Sequence, residues 1–206
     1  MKVLVACEYS GRVREAFRAR GHDAWSCDLL ESEDGSPFHF QADCLAIATW
    51  HEWDLLIAHP PCTHLAVSGA AHFEAKRADG RQQEAIDFFL ALARLPIPRI
   101  AIENPVCIMS SVWREPDQII QPHEFGHPEF KATCLWLKGL PRLRPTRPLR
   151  PPKADSEEWK AWNRVHRMPP SDTRWKERSR TYEGIAAAFA DQWSGYSDLV
   201  TQMEAA

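Results

Sequence analysis

Residues 54–69 read DLLIAHPPCTHLAVSG: an apolar run from Leu55 to Ala58 halts at Pro60-Pro61 and presents a thiol at Cys62. Such a run is what a buried parallel strand looks like, and two prolines cannot continue it. Ligands of open α/β sheets bind beyond the carboxyl ends of the strands, so a thiol on a stiff turn there is placed for nucleophilic chemistry. A single cysteine in an intracellular protein is more often a small core residue. A second segment built the same way weighs against that reading. Arg99 to Ile102 (RIAI) is another short strand, and it runs into Glu103-Asn104-Pro105. Two strand ends thus offer a nucleophile and a carboxyl group.

The elements that must position them alternate between strand and helix. Lys2 to Cys7 (KVLVAC) reads as a strand, Glu8-Tyr9-Ser10-Gly11 as a turn, and Val13, Ala16 and Phe17 as helical spacing up to Gly21. Ser10 is expected to cap that helix, and Gly11 to let a ligand approach its positive end. His22 to Cys27 forms a second strand ending in Asp28, where a carboxylate can accept two hydrogen bonds from a ribose diol. Residues 38–43 form a third, ending in Asp43, a candidate acceptor for an exocyclic amine. Arg81 to Leu95 carries Ala85, Phe88, Phe89, Leu92 and Leu95 on one helical stripe, which is core packing. Thr133 to Leu137 is a further strand, and Gly184 to Trp193 a helix returning to the sheet. The order predicts an α/β chain with a mainly parallel, doubly wound sheet.

At 206 residues and 44% hydrophobic composition the chain can bury one substantial core. It shows no charged-then-apolar leader and no apolar stretch of about 18 residues, so the expectation is a cytoplasmic protein without membrane contact. The six cysteines form no C-x-x-C pair, which suits reduced thiols. The net charge of −3 conceals a basic block: residues 138–180 hold 13 Lys and Arg against 5 Asp and Glu, leaving 12 against 23 elsewhere. Within it PRLRPTRPLRPP, from Pro141, sets Arg142, Arg144, Arg147 and Arg150 among prolines, a pattern for an exposed extended strap. Beyond it, Trp159, Trp162 and Trp175 alternate with cations including Arg167 and Arg174. That mixture grips phosphates and unstacked bases, although the tryptophans also suit ordinary packing.

Pro61-Cys62 after one strand, Glu103-Asn104 after the next and an aspartate after the second strand together resemble the cytosine carbon-5 DNA methyltransferases, especially their small phage- and prophage-encoded branch. The resemblance covers nearly the whole chain. It implies a Rossmann-like S-adenosylmethionine-dependent methyltransferase fold, with Cys62 as nucleophile and Glu103-Asn104 holding the cytosine. S-adenosylmethionine, leaving as S-adenosylhomocysteine, would lie against Cys7, Glu8, Tyr9, Ser10 and Gly11, with Asp28 near ribose and Asp43 near adenine. Cys7-Glu8-Tyr9-Ser10-Gly11 stands where the family has Phe-x-Gly-x-Gly. Lys131 alone keeps a positive charge where the family has Gln-x-Arg-x-Arg, and Thr181 falls in the loop before the last helix.

The implied catalytic domain is residues 1–139 and 179–206, and the implied target-recognition region is residues 140–178. The implied partner is double-stranded DNA, bound by a monomer in a bacterial or phage-infected cell, with no metal. Three other readings compete. His59-Pro60-Pro61-Cys62 partly resembles the Asp-Pro-Pro-Tyr motif of amino-methyltransferases acting on cytosine or adenine nitrogen, but leaves Glu103-Asn104 unexplained. A catalytically inactive DNA-binding protein of the same fold is the second. A zinc site at His59, Cys62, His64 and His72 is the third, with irregular spacing.

Overall fold

The computed structural model describes residues 1–169, 171–172 and 174–195. The end of the implied catalytic domain, residues 196–206, lies outside the described residues. Seven strands form one sheet: β1 (Lys2–Ala6), β2 (Asp23–Asp28), β3 (His39–Gln41), β4 (Leu55–Ala58), β5 (Arg99–Pro105), β6 (Gln118–Ile120) and β7 (Thr133–Lys138). Their spatial order is β3-β2-β1-β4-β5-β7-β6, parallel from β3 through β5, with β7 antiparallel to both its neighbours. The chain reverses direction across the sheet between β1 and β4, so the exits of those strands open on one crevice.

Helices cover both faces. On one side lie α1 (Arg12–Arg18) and α9 (Glu183–Ser194), packed through Val13, Phe17, Phe189 and Trp193 onto Val3, Val5, Leu55 and Ile57. On the other lie α2 (Cys44–Trp50) and α4 (Arg81–Ala93), packed through Ala48, Phe89 and Leu92 onto Leu4, Leu56, Ile100 and Ile102. β4 is fully buried over its whole length, as a continuous apolar run in a central parallel strand must be. Short helices α3 (Phe73–Ala78) and α5 (Met109–Val112) follow the two chemistry-bearing strand ends, and α6 (Glu157–Trp162), α7 (Arg164–Arg167) and α8 (Arg174–Ser179) belong to the basic block.

Three local expectations change. Ser10 does not cap α1: the N-cap is Gly11 at φ 69°, and the first-turn amides of Val13 and Arg14 are taken by the Glu8 carboxylate at 2.7 and 3.2 Å. The third strand stops at Gln41, because Asp43 is extended and caps α2 through the amides of Leu45 and Ala46. β5 continues past Ile102 to Pro105, since β7 pairs with it as far as Thr133.

The strap is extended and its four arginines are exposed, but it is tied down. Leu143 exchanges bonds with Gln118 at the start of β6, and Arg144 with Gln192 of α9. Further on, Arg147 and Leu149 donate their amides to Glu124 and His123, beyond the end of β6. The strap therefore runs alongside β6 in that strand's direction, from Gln118 to past its end.

Candidate active site

Two adjacent strands build the centre of the site. β4 delivers His59 and the Pro60-Pro61-Cys62 turn, β5 carries Glu103 and Asn104, and Ala58 pairs with Ile102 across the ladder. Asn104 is buried, and its amide donates to the Pro60 carbonyl at 2.8 Å, tying the thiol's turn to the carboxyl group's strand. Its donor is occupied in holding the turn, while its carbonyl oxygen is buried without a partner among the described residues. A second stitch follows, with the Val67 amide bonded to the Val106 carbonyl and the Ile108 amide to the Leu65 carbonyl. From the helical side Lys76 donates to the Thr63 carbonyl at 2.6 Å and Gln82 to that of His64 at 3.2 Å. The cysteine sits on a turn fixed from three directions, the condition for presenting a nucleophile repeatedly in one geometry.

The electrostatics are mixed. Burial and the neighbouring Glu103 charge push the Cys62 thiol up, while Lys131 and Arg178 pull it down. Glu103 is largely shielded from solvent, which alone would raise it. The His59 ring, whose Nδ1 lies 3.0 Å from Oε2, together with the charge of Lys131, holds the carboxyl group below its ordinary value. Nε2 of the same ring is buried without a protein partner. Lys131 is positioned by its amide bond to the Gln121 side chain, with its ammonium 5.7 Å above the Tyr182 ring. The structure thus gathers Cys62, Glu103, Asn104 and Lys131 at one edge, and adds His59, Arg178 and Lys76. Of those three, His59 is marked by its place beside the Pro-Pro-Cys turn and Arg178 by its place in the basic block, while Lys76 carries no sequence signal.

The exits of β1 and β2 form the other half of the crevice. Cys7 leaves β1 at φ 58°, a left-handed conformation that turns Glu8-Tyr9-Ser10-Gly11 over the sheet edge. Glu8 is 4% exposed and its carboxylate is committed to α1, so it builds the turn instead of offering oxygens to a ligand. Tyr9 is buried, and among the described residues its hydroxyl makes no close hydrogen bond, with Ser179 as a polar neighbour. Asp28, half-buried at the end of β2, accepts the Leu30 amide on Oδ1 and is raised by burial. Asp43 has Oδ1 engaged with the start of α2. Helix α8 lies over this half: Trp175 packs 5.7 Å from Tyr9, and Arg180 pairs with Glu33. A cavity of about 230 Å³ remains between Tyr9, Leu30, Glu31, Glu33, Trp175 and Lys176. Thr181 stands between α8 and α9, at the same edge as Arg180.

The six arginines expected to contact nucleic acid do not form one surface. Arg142 and Arg144 flank Leu143, which is bonded to Gln118 of β6, and Arg144 is bonded to Gln192 near the end of α9. Arg147 and Arg150 lie farther up the strap. Arg167 borders a hollow of about 450 Å³ shared with Lys160 and Arg164, and Arg174 opens α8 beside the site. The tryptophans divide as well: Trp162 is buried against Phe130 and His123, while Trp175 is half-exposed. The zinc alternative loses its geometry, since His59 is turned to Glu103 and His72 is exposed on a separate turn.

No family model and no curated protein matches the chain. Among solved structures, the methyltransferase EhMeth of Entamoeba histolytica is similar with a TM-score of 0.51 and 13% identity, over 72% of this chain and 57% of that one. A DNA modification methyltransferase encoded within a prophage (E. coli) is similar with a TM-score of 0.49 and 16% identity, over 72% of this chain and 52% of that one. The chain spans little more than half the length of the solved structures it matches. At such identity the likeness speaks to architecture, and with the strand order it gives a Rossmann-like methyltransferase fold.

Proposed function

We propose that the chain is an S-adenosylmethionine-dependent DNA methyltransferase that modifies carbon 5 of cytosine. The observation that carries the reading is the pairing of β4 with β5, which sets Cys62 and Glu103 at one sheet edge and ties their segments together through Asn104 and Pro60. A thiol and a carboxyl group so joined are the two groups that carbon-5 chemistry requires of a protein.

The crevice suits the cofactor. Asp28 has an oxygen left for a ribose diol, the Tyr9 hydroxyl is buried and makes no close hydrogen bond among the described residues, and the turn from Tyr9 to Gly11 brings backbone to the edge. Thr181 and the outer oxygen of Asp43 would complete its surroundings. When bound, S-adenosylmethionine supplies an electrophilic methyl group.

The residues do the rest. Cys62, as thiolate, adds to carbon 6 of a cytosine turned out of the duplex, a rotation costing a few kcal/mol of stacking and pairing. Electron density pushed into the ring is met by Glu103 at nitrogen 3 and the exocyclic amine. Carbon 5, now nucleophilic, takes the methyl group; loss of its proton to a base then expels the Cys62 thiolate. Because His59 and Lys131 favour the carboxylate form of Glu103, and nitrogen 3 of cytosine carries no proton, a proton must be taken up from solvent between the two when the base enters. Lys131 and Arg178 oppose the burial that keeps Cys62 protonated. DNA would be held by Arg167, Arg174 and the upper strap, with Arg147 and Arg150.

Incubation with labelled S-adenosylmethionine and duplex DNA, followed by mass spectrometry of the nucleosides, tests the reaction. The expected product is 5-methylcytosine. Methyl on an exocyclic nitrogen would transfer the site to the amino-methyltransferases, and no methylated nucleoside would leave only a binding protein.

A further inference from the structure

Three of the six cysteines converge at the exits of β1 and β2, and each adjoins an acidic residue of the crevice: Cys7 precedes Glu8, Cys27 precedes Asp28, and Cys44 follows Asp43. The proposed methyl transfer uses none of these thiols. Cys7 Sγ lies 3.8 Å from Cys44 Sγ, and the backbone amide of Cys7 donates to the same Cys44 sulfur at 3.2 Å. Cys27, fully buried, points its thiol at the Ala42 carbonyl.

We propose that Cys44 and Cys7 form a peroxide-reactive dithiol site, with Cys44 as the attacking sulfur and Cys7 as the resolving one. The surroundings favour charge on Cys44 in particular: contacts with Cys27 and with the thiol and amide of Cys7 pull it well below the ordinary thiol value, and its own thiol reaches the Cys27 carbonyl at 3.3 Å. The reverse holds for the neighbours. Cys7 and Cys27 are pushed up by their contacts with Cys44 and by burial, and Cys62 by burial and Glu103. Asp43, on its own turn, opposes the Cys44 charge, and Asp28 across the crevice opposes charge on Cys7 and Cys27.

The chemistry balances with a hydroperoxide as oxidant. The Cys44 thiolate attacks the distal peroxide oxygen, the O–O bond breaks, and the alkoxide or hydroxide leaves with a proton, giving Cys44 sulfenic acid. Cys7, losing its proton, then attacks the Cys44 sulfur, and the oxygen departs as water. The two sulfurs are oxidised by two electrons and the hydroperoxide is reduced to alcohol, or to water, plus one further water. Cys7, partly exposed, is the route by which a small oxidant reaches the pair.

The bond would join the turn after β1 to the start of α2 across the end of β2. If the crevice holds S-adenosylmethionine as proposed above, oxidation alters that site; the thiol chemistry itself does not rest on that reading. The test treats the whole chain with a small excess of hydrogen peroxide, blocks remaining thiols with iodoacetamide, and maps peptides without reduction. A Cys7–Cys44 link that dithiothreitol reverses, leaving four alkylated cysteines, is the expected result. Cys7→Ser should stop at a sulfenic acid on Cys44 that dimedone captures, which keeps the test informative should Cys44→Ser fold poorly. Cys44 should react about tenfold or more faster than Cys107 or Cys134, as thiolate fraction dictates. A link through Cys27 or Cys62, or oxidation of Cys62 ahead of Cys44, would overturn the assignment. Binding of S-adenosylhomocysteine, measured on the oxidised and reduced forms, separates the two readings. A link formed without a change in affinity, or with no affinity in either form, would leave the dithiol intact and count against the cofactor site.

Discussion

Replacing Asn104 with alanine isolates the contact that joins the two halves of the catalytic edge. Asn104 is 1% exposed, and its amide is the donor to the Pro60 carbonyl at 2.8 Å, itself buried against the strand ends. Removing the donor leaves a buried acceptor unpaired, at a cost of about 1–3 kcal/mol. For a chain of this size each kcal/mol lowers Tm by roughly 2–4 °C, so a fall of about 2–12 °C is expected in a thermal melt. The kinetic effect should be sharper. Pro60 precedes the thiol by two residues, and a displacement of about 1 Å at a reacting atom can cost on the order of a hundredfold in rate. Single-turnover methylation should slow markedly, while the Kd for DNA, set by the basic block, stays near its starting value. Asn104→Asp has the same shape without the donor, and should reproduce the kinetic loss. If either variant melted as the parent does and methylated at the parent rate, the Asn104–Pro60 tether would have no part in placing Cys62.

Other outcomes follow from the same geometry. Cys62 is raised by burial and Glu103 and lowered by Lys131, so its addition rate should climb with pH as the thiol ionises. Lys131→Met should move that rise to higher pH and slow the reaction at neutrality, visible in the pH profile of covalent complex formation. Asp28→Asn should weaken S-adenosylhomocysteine binding by roughly tenfold, the equivalent of about 1.4 kcal/mol, in a calorimetric titration. Asp43→Asn should act mainly on α2, and a loss as large as that at Asp28 would contradict the capping role. Arg167→Ala with Arg174→Ala should reduce DNA affinity and flatten its salt dependence, whereas Arg142→Ala with Arg144→Ala should do less, because those two belong to the strap segment tied to Gln118 and Gln192 and not to the helices of the basic block. Equal losses in the two pairs would make the whole strap a DNA surface.

The elements legible from sequence are those whose pattern is set by burial alone. β1 and β4 are uninterrupted apolar runs because they are covered on both faces, and α4 and α9 show helical stripes because one face meets the sheet. The seven-residue α2 and three-residue β6 were not legible: each is too short to show a period and exists because something else holds it. Asp43 fixes the start of α2, and β7 supplies the partner of β6. Cys62 and Glu103 could be found because each follows a run that a central strand requires. Their helpers could not. The pairing of His59 with Glu103, the tether from Asn104 and the reach of Lys76 to Thr63 depend on contacts between residues 13 to 44 positions apart, which no local pattern encodes. The strap was readable as extended and exposed, from its prolines and arginines, but its path was not, since Gln118, Gln192 and Glu124 set that path. The misplaced cap has a similar origin. Ser10 has the right type and position, yet the buried Glu8 carboxylate reaches the same amides.

The central claim is that Cys62 bonds covalently to a cytosine held by Glu103. A duplex in which cytosine is replaced by 5-fluorocytosine measures this most directly, because the fluorine cannot leave as a proton does and the adduct persists. With S-adenosylmethionine present, a denaturation-resistant protein–DNA complex should form, map by peptide mass spectrometry to Cys62, vanish in Cys62→Ser, and form much more slowly in Glu103→Gln. A complex mapping to any other residue, or the same complex surviving in Cys62→Ser, would contradict the account.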